Sequence, residues 1–95
     1  MFMHIVFFKF KDRNPRSIEK ARDLLLSMKG KIPQLRHLEA GIDILHSERS
    51  YDLALVTKFD SMEDMKTYQA NPVHVEVSKY ITSVRDSAIS VDYES

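Results

Sequence analysis

Apolar positions recur along this chain with two alternating periods, and the switches between them mark out its elements. Met3 to Lys11 reads as a first strand. His4, Val6, Phe8 and Phe10 alternate there with Met3, Ile5 and Phe7, so both faces are apolar and cover is expected on both sides. Asp12-Arg13-Asn14-Pro15 ends the strand and opens a helix, with Asn14 as cap and Pro15 at the first position. Ile18, Ala21, Leu25 and Met28 then recur at three- and four-residue spacing, Leu24 widens the stripe, and Gly30 is placed to stop the helix. After Ile32-Pro33 a second strand is predicted from about Leu35 to His46. Leu38, Ala40, Ile42 and Ile44 form its apolar face; His37, Glu39, Gly41 and Asp43 form its polar one. Ser47-Glu48-Arg49-Ser50 implies a hairpin turn into a third strand, Tyr51 to Phe59, with Leu53 and Leu55 on one side and Ala54 and Val56 on the other.

Asp60 and Glu63 stand at capping-box spacing, which predicts a helix start at Asp60. Met62, Met65 and Tyr68 carry its stripe to Asn71-Pro72. Val73, Val77, Tyr80, Ile81 and Val84 continue the stripe in a second segment, and a last strand runs from about Ser87 to Tyr93. The order β-α-β-β-α-β predicts an α+β, ferredoxin-like fold in one domain over residues 1–95: a four-stranded antiparallel sheet with two helices on one face. The helices leave the other sheet face bare, yet the first and third strands carry large apolar residues there too. A second copy packed sheet to sheet about a two-fold axis would cover them, which predicts a homodimer.

Composition removes several function classes. Fourteen basic residues balance fourteen acidic ones, so no net field favours nucleic acid or an anionic membrane. With no cysteine there are no disulfides, thiolate metal sites or cysteine nucleophiles. No apolar run approaches the length of a membrane span, and Met1 to Phe8 reads as a strand rather than a leader because Lys9 and Lys11 follow at once. A cytoplasmic protein is the default expectation. Four histidines without His-x-His pairing, and no glycine-rich phosphate loop, predict neither a metal nor a cofactor.

The chemistry that remains gathers around Tyr68-Gln69-Ala70-Asn71-Pro72-Val73-His74. The Asn-Pro break starts a helix, putting His74 at its third position and Tyr68 in the last turn of the helix before. An imidazole base beside a phenol donor suits proton abstraction next to a carbonyl. Packing also accounts for the same two residues if the Tyr68 hydroxyl is bonded in the core and His74 bonds a neighbouring strand. At the third helical position His74 also meets the positive end of the helix dipole, and this together with burial predicts a neutral ring at pH 7. His4 lies within an apolar strand; read alone, it is a hydrogen-bonded core histidine. His37 and His46 are expected in solvent.

The segments Met3-His4-Ile5-Val6-Phe7-Phe8-Lys9-Phe10-Lys11-Asp12, Leu38-Glu39-Ala40-Gly41, Ser50-Tyr51-Asp52-Leu53-Ala54-Leu55, Tyr68 to His74 and Val91-Asp92-Tyr93 together resemble the stress-responsive A/B barrel (Dabb) proteins. The resemblance covers essentially the whole chain and implies a dimeric α+β barrel. In a plant branch similar to olivetolic acid cyclase, a His and a Tyr close a polyketide by aldol condensation; the matching positions here are His74 and Tyr68, and His4 matches a further pocket histidine. The resemblance therefore implies a cofactor-independent enzyme of the cyclase or lyase kind, with His74 and Tyr68 catalytic, and His4, Leu25 and Leu55 lining a pocket for a small apolar or carbonyl-containing ligand. The alternative is a non-catalytic stress-associated or small-molecule-binding homodimer. Other proteins of this topology fit less well. The chain lacks the exposed Gly-aromatic strands of RNA-binding domains, the Cys-x-x-Cys of metal chaperones, and the Trp of related haem-degrading barrels.

Overall fold

Four strands, β1 (Phe2–Phe10), β2 (His37–Ile42), β3 (Leu53–Phe59) and β4 (Arg85–Glu94), form one antiparallel sheet in the order β2-β3-β1-β4. Three helices, α1 (Pro15–Leu26), α2 (Met62–Ala70) and α3 (Pro72–Val84), complete the chain, the last two being halves of one layer divided at Asn71. The computed structural model describes all residues from Met1 to Ser95.

Local signals account for most boundaries. The Asn14 side chain accepts the Arg16 N–H at 2.8 Å, and Pro15 needs no partner at the first helical position. The α1 stripe buries Ile18, Ala21 and Leu25 against the sheet. Met28 is fully buried as expected but lies past the helix end, in tight turns that run to Gly30, whose φ of +76° suits glycine.

On β1 the even residues Phe2, Phe8 and Phe10 enter the core with Leu38, Leu53, Leu55 and Phe59 of the neighbouring strands. Asp52 is buried just before β3, where its carboxylate accepts the Phe10 N–H at 2.8 Å and the Arg13 Nε–H at 3.0 Å. This ties the end of β1 and the entrance to α1 to the start of β3.

Two expectations need correction. The second strand does not reach His46, because the Asp43 side chain accepts the His46 N–H at 2.7 Å and bends the backbone out of the ladder. His46 takes φ +56°, and Ile44, expected on the apolar face, is 90% exposed. The helix α2 is capped by Ser61, which accepts the Asp64 N–H at 3.1 Å, and not by Asp60, which pairs with Arg36. Met62 consequently falls outside the buried stripe. The bare sheet face expected of a single chain is present: Phe7, Ile89, Val91 and Tyr93 share an exposed outer face, with Phe7 opposite Ile89 and Ile5 opposite Val91.

Candidate active site

Asn71 serves two helices at once. Its N–H bonds the Tyr68 carbonyl at 3.1 Å and ends α2, while its side chain accepts the Val73 N–H at 2.9 Å and begins α3. The shared cap turns the chain sharply and brings His74 back over Tyr68. The ring centroids are 4.5 Å apart with planes inclined at 54°, and Phe59 supports the other side of Tyr68 at 4.9 Å.

The two rings are in different electrostatic states. His74 Nδ1 lies 3.0 Å from the Gln69 carbonyl oxygen. A carbonyl only accepts, so the proton sits on Nδ1 and the neutral ring carries its lone pair on Nε2. Burial pushes the His74 pKa down, partly offset by the Gln69 carbonyl and aided by nearby His4. The direction agrees with the sequence expectation, and burial, one of the two causes expected there, is the largest. Tyr68 is fully buried, and its hydroxyl is the one buried side-chain polar atom without a hydrogen-bond partner. Burial pushes its phenol well above the ordinary range, so it remains a proton-bearing donor. Neither packing arrangement anticipated from the sequence occurs: Tyr68 is not hydrogen-bonded, and His74 bonds the end of α2 instead of a strand.

Between the helices and the sheet lies a cavity of about 220 Å³. His74 and Tyr68 line it from the α2–α3 corner, His4 and Leu55 from the sheet, and Leu25 from α1. All five residues singled out in the sequence thus border the same space. Val6, Phe8, Ile81 and Ala88 make the rest of the wall largely apolar, with Gln69, Ser78, Thr82 and Arg85 as further polar groups. His37 and His46 lie away from it, exposed beside Glu39 and Asp43.

Two side chains escaped the sequence reading. Asp92 of β4 stands directly opposite His4 of β1, and its carboxylate contacts His4 Nδ1, leaving Nε2 of that ring free. Only strand register reveals this pair. Arg85 is the other, and its placement depends on an irregularity in the same ladder. No group of three or more His, Asp or Glu side chains converges to hold a metal.

Fold and site together describe a ferredoxin-like α+β domain with a small polar-tipped cavity under its helices. The stress responsive A/B barrel family matches residues 2–95, and the chain belongs to that family. A dimeric ferredoxin-like protein from Bacteroides fragilis is 29% identical, with a TM-score of 0.87 over 99% of this chain and 95% of its own. A dimeric ferredoxin-like protein from Thermobifida fusca is 24% identical, with a TM-score of 0.88 over 99% and 90%. The hydroxynitrile lyase of Passiflora edulis shares the fold at 18% identity, with a TM-score of 0.83 over 97% and 90%. No curated protein sequence matches the chain. No helix is long and apolar enough to cross a membrane.

Proposed function

We propose that the protein is a cofactor-independent enzyme that makes or breaks a carbon–carbon bond beside a carbonyl, in the manner of a cyclase or lyase. In this reading His74 Nε2 removes a proton from the carbon next to the carbonyl, and the electron pair moves onto the carbonyl oxygen. The Tyr68 hydroxyl donates a hydrogen bond to that oxygen and stabilises the developing charge. In the cyclase direction the resulting enolate attacks a second carbonyl of the same molecule, and the imidazolium gives its proton to the new alkoxide. In the lyase direction Nε2 takes the proton of the β-hydroxyl instead, the carbon–carbon bond breaks to leave the enolate, and the imidazolium protonates its carbon. His4, Leu25 and Leu55 hold the substrate. One observation carries the proposal: a buried hydroxyl with no partner and an imidazole with a free Nε2 stand ring against ring beside one cavity. The lyase among the structural relatives supports the reaction class only through the shared fold.

The working unit in this proposal is a homodimer joined through the outer sheet face in a cytoplasmic setting. The exposed Phe7, Ile89, Val91 and Tyr93 support that assembly, as do the dimeric relatives. A second reading is a non-catalytic, stress-associated or small-molecule-binding homodimer; the His74–Tyr68 stack favours it, since the stack also braces the α2–α3 corner. A ligand screen by native mass spectrometry on the wild type and His74→Gln separates the two. Turnover of a carbonyl compound that is lost in a folded His74→Gln protein supports the enzyme. Binding without turnover supports the second reading.

A further inference from the structure

The β1–β4 ladder contains a register shift. Ala88 pairs with Phe8 and Ser87 with Lys9, but Phe10 pairs with Arg85, so Asp86 is the extra residue of a bulge. Strict alternation would put Arg85 on the face opposite Ala88. The bulge instead turns it to the face of Phe10 and Ala88, against the cavity. Arg85, a partly buried residue, thus brings a positive charge to a cavity whose walls are otherwise mostly apolar. It takes part in none of the ion pairs of the chain: Arg13, Arg22 and Arg36 hold Asp52, Asp23 and Asp60, Lys79 holds Glu76, and the Asp92 carboxylate is taken by His4. Ser78 and Thr82 of α3, seven and three residues before Arg85, share a helix face and line the same cavity with two hydroxyls.

We infer that Arg85 binds the carboxylate of the ligand, so the molecule this cavity takes is a small carboxylic acid with an apolar body. One guanidinium with two neutral hydroxyls matches a monoanion, and the planar fork of arginine fits the two oxygens of a carboxylate. A phosphate dianion would call for more positive charge than the cavity offers. The apolar body lies among Leu25, Leu55, Val6 and Phe8, and the carboxylate anchors the end remote from Tyr68 and His74. A volume of about 220 Å³ is below the roughly 300–1,000 Å³ of sites for drug-sized ligands, so the body is a single ring or short chain.

The inference rests on the cavity being a ligand pocket, as proposed above, and the test separates the two. Benzoate, hexanoate, the neutral amides of both, and inorganic phosphate are titrated into the wild-type protein while the His74 and His4 ring resonances are followed. Each carboxylate should bind roughly ten- to a hundredfold more tightly than its amide, the range expected for a hydrogen-bonded charge. Arg85→Gln should abolish that preference, with carboxylate binding falling to the level of the amide. Equal binding of acid and amide in the wild type overturns the carboxylate role while sparing the pocket, and this comparison needs no variant to fold. Phosphate binding as tight as carboxylate also overturns it. Failure of every probe to move either resonance overturns the pocket and the inference together.

Discussion

The imidazole of His74 rests on the ring of Tyr68 at 4.5 Å, while its Nδ1–H is held by the carbonyl of Gln69 near the end of α2. A single helix corner thus sets the position, tautomer and surroundings of the ring. The titration of His74 follows from this arrangement.

His74 should titrate below its ordinary value of 6.5, because burial disfavours the imidazolium. The unfolded chain then binds this proton at a higher pH than the folded one. Stability is therefore full above about 6.5 and falls as the pH drops through the lower folded value. Nitrogen-resolved NMR should show the proton on Nδ1 at pH 7. A midpoint at or above 6.5 would contradict the burial argument.

Tyr68→Phe removes only a buried hydroxyl that has no partner. Stability should stay the same or rise by about 1 kcal/mol, since no intramolecular bond is lost and an unsatisfied group is relieved. Urea unfolding measures this, and a loss larger than about 1 kcal/mol would reveal a partner such as ordered water. Under the proposed mechanism the same variant should lose turnover, because the oxyanion donor is gone.

Asp52→Ala should cost about 1–3 kcal/mol, chiefly by leaving the buried Phe10 N–H without an acceptor. Arg13, half exposed, can rehydrate once its partner is gone. Equilibrium unfolding of Asp52→Ala beside Asp52→Asn checks the assignment, with the Asn variant retaining more stability.

Phe7→Glu puts a charge at the centre of the outer sheet face. The wild type should scatter light as a dimer at micromolar concentration, and the variant should dissociate and melt at a lower temperature. A wild type that scatters as a single chain throughout would remove the proposed interface.

The strand faces and the helix corner were legible because they rest on short-range rules. A period of two sets His4, Val6 and Phe8 on one face, without saying which face meets the helices, and Asn71-Pro72 specifies its own turn. Other features depend on distant pairing. Asp92 meets His4 only because two strands at opposite ends of the sequence align in one register. Arg85 reaches the cavity through a bulge that no alternation pattern encodes. The departure of Ile44 from the ladder is local, but it turns on a hydrogen bond from the His46 backbone to Asp43 that competes with strand pairing.

Because Asn71 caps two helices at once, the segment from Tyr68 to His74 behaves as a ruler of fixed length. Exposed positions along it, such as Gln69 and Ala70, can exchange side chains with little effect on the corner. One residue inserted after Pro72 would instead carry the imidazole about 100° around the α3 axis and away from Tyr68. Such an insertion would dismantle the ring pair and turn Val77 and Ile81 of the same helix out of register with the core, leaving the outer sheet face untouched. At this corner the chain is sensitive to length more than to spelling.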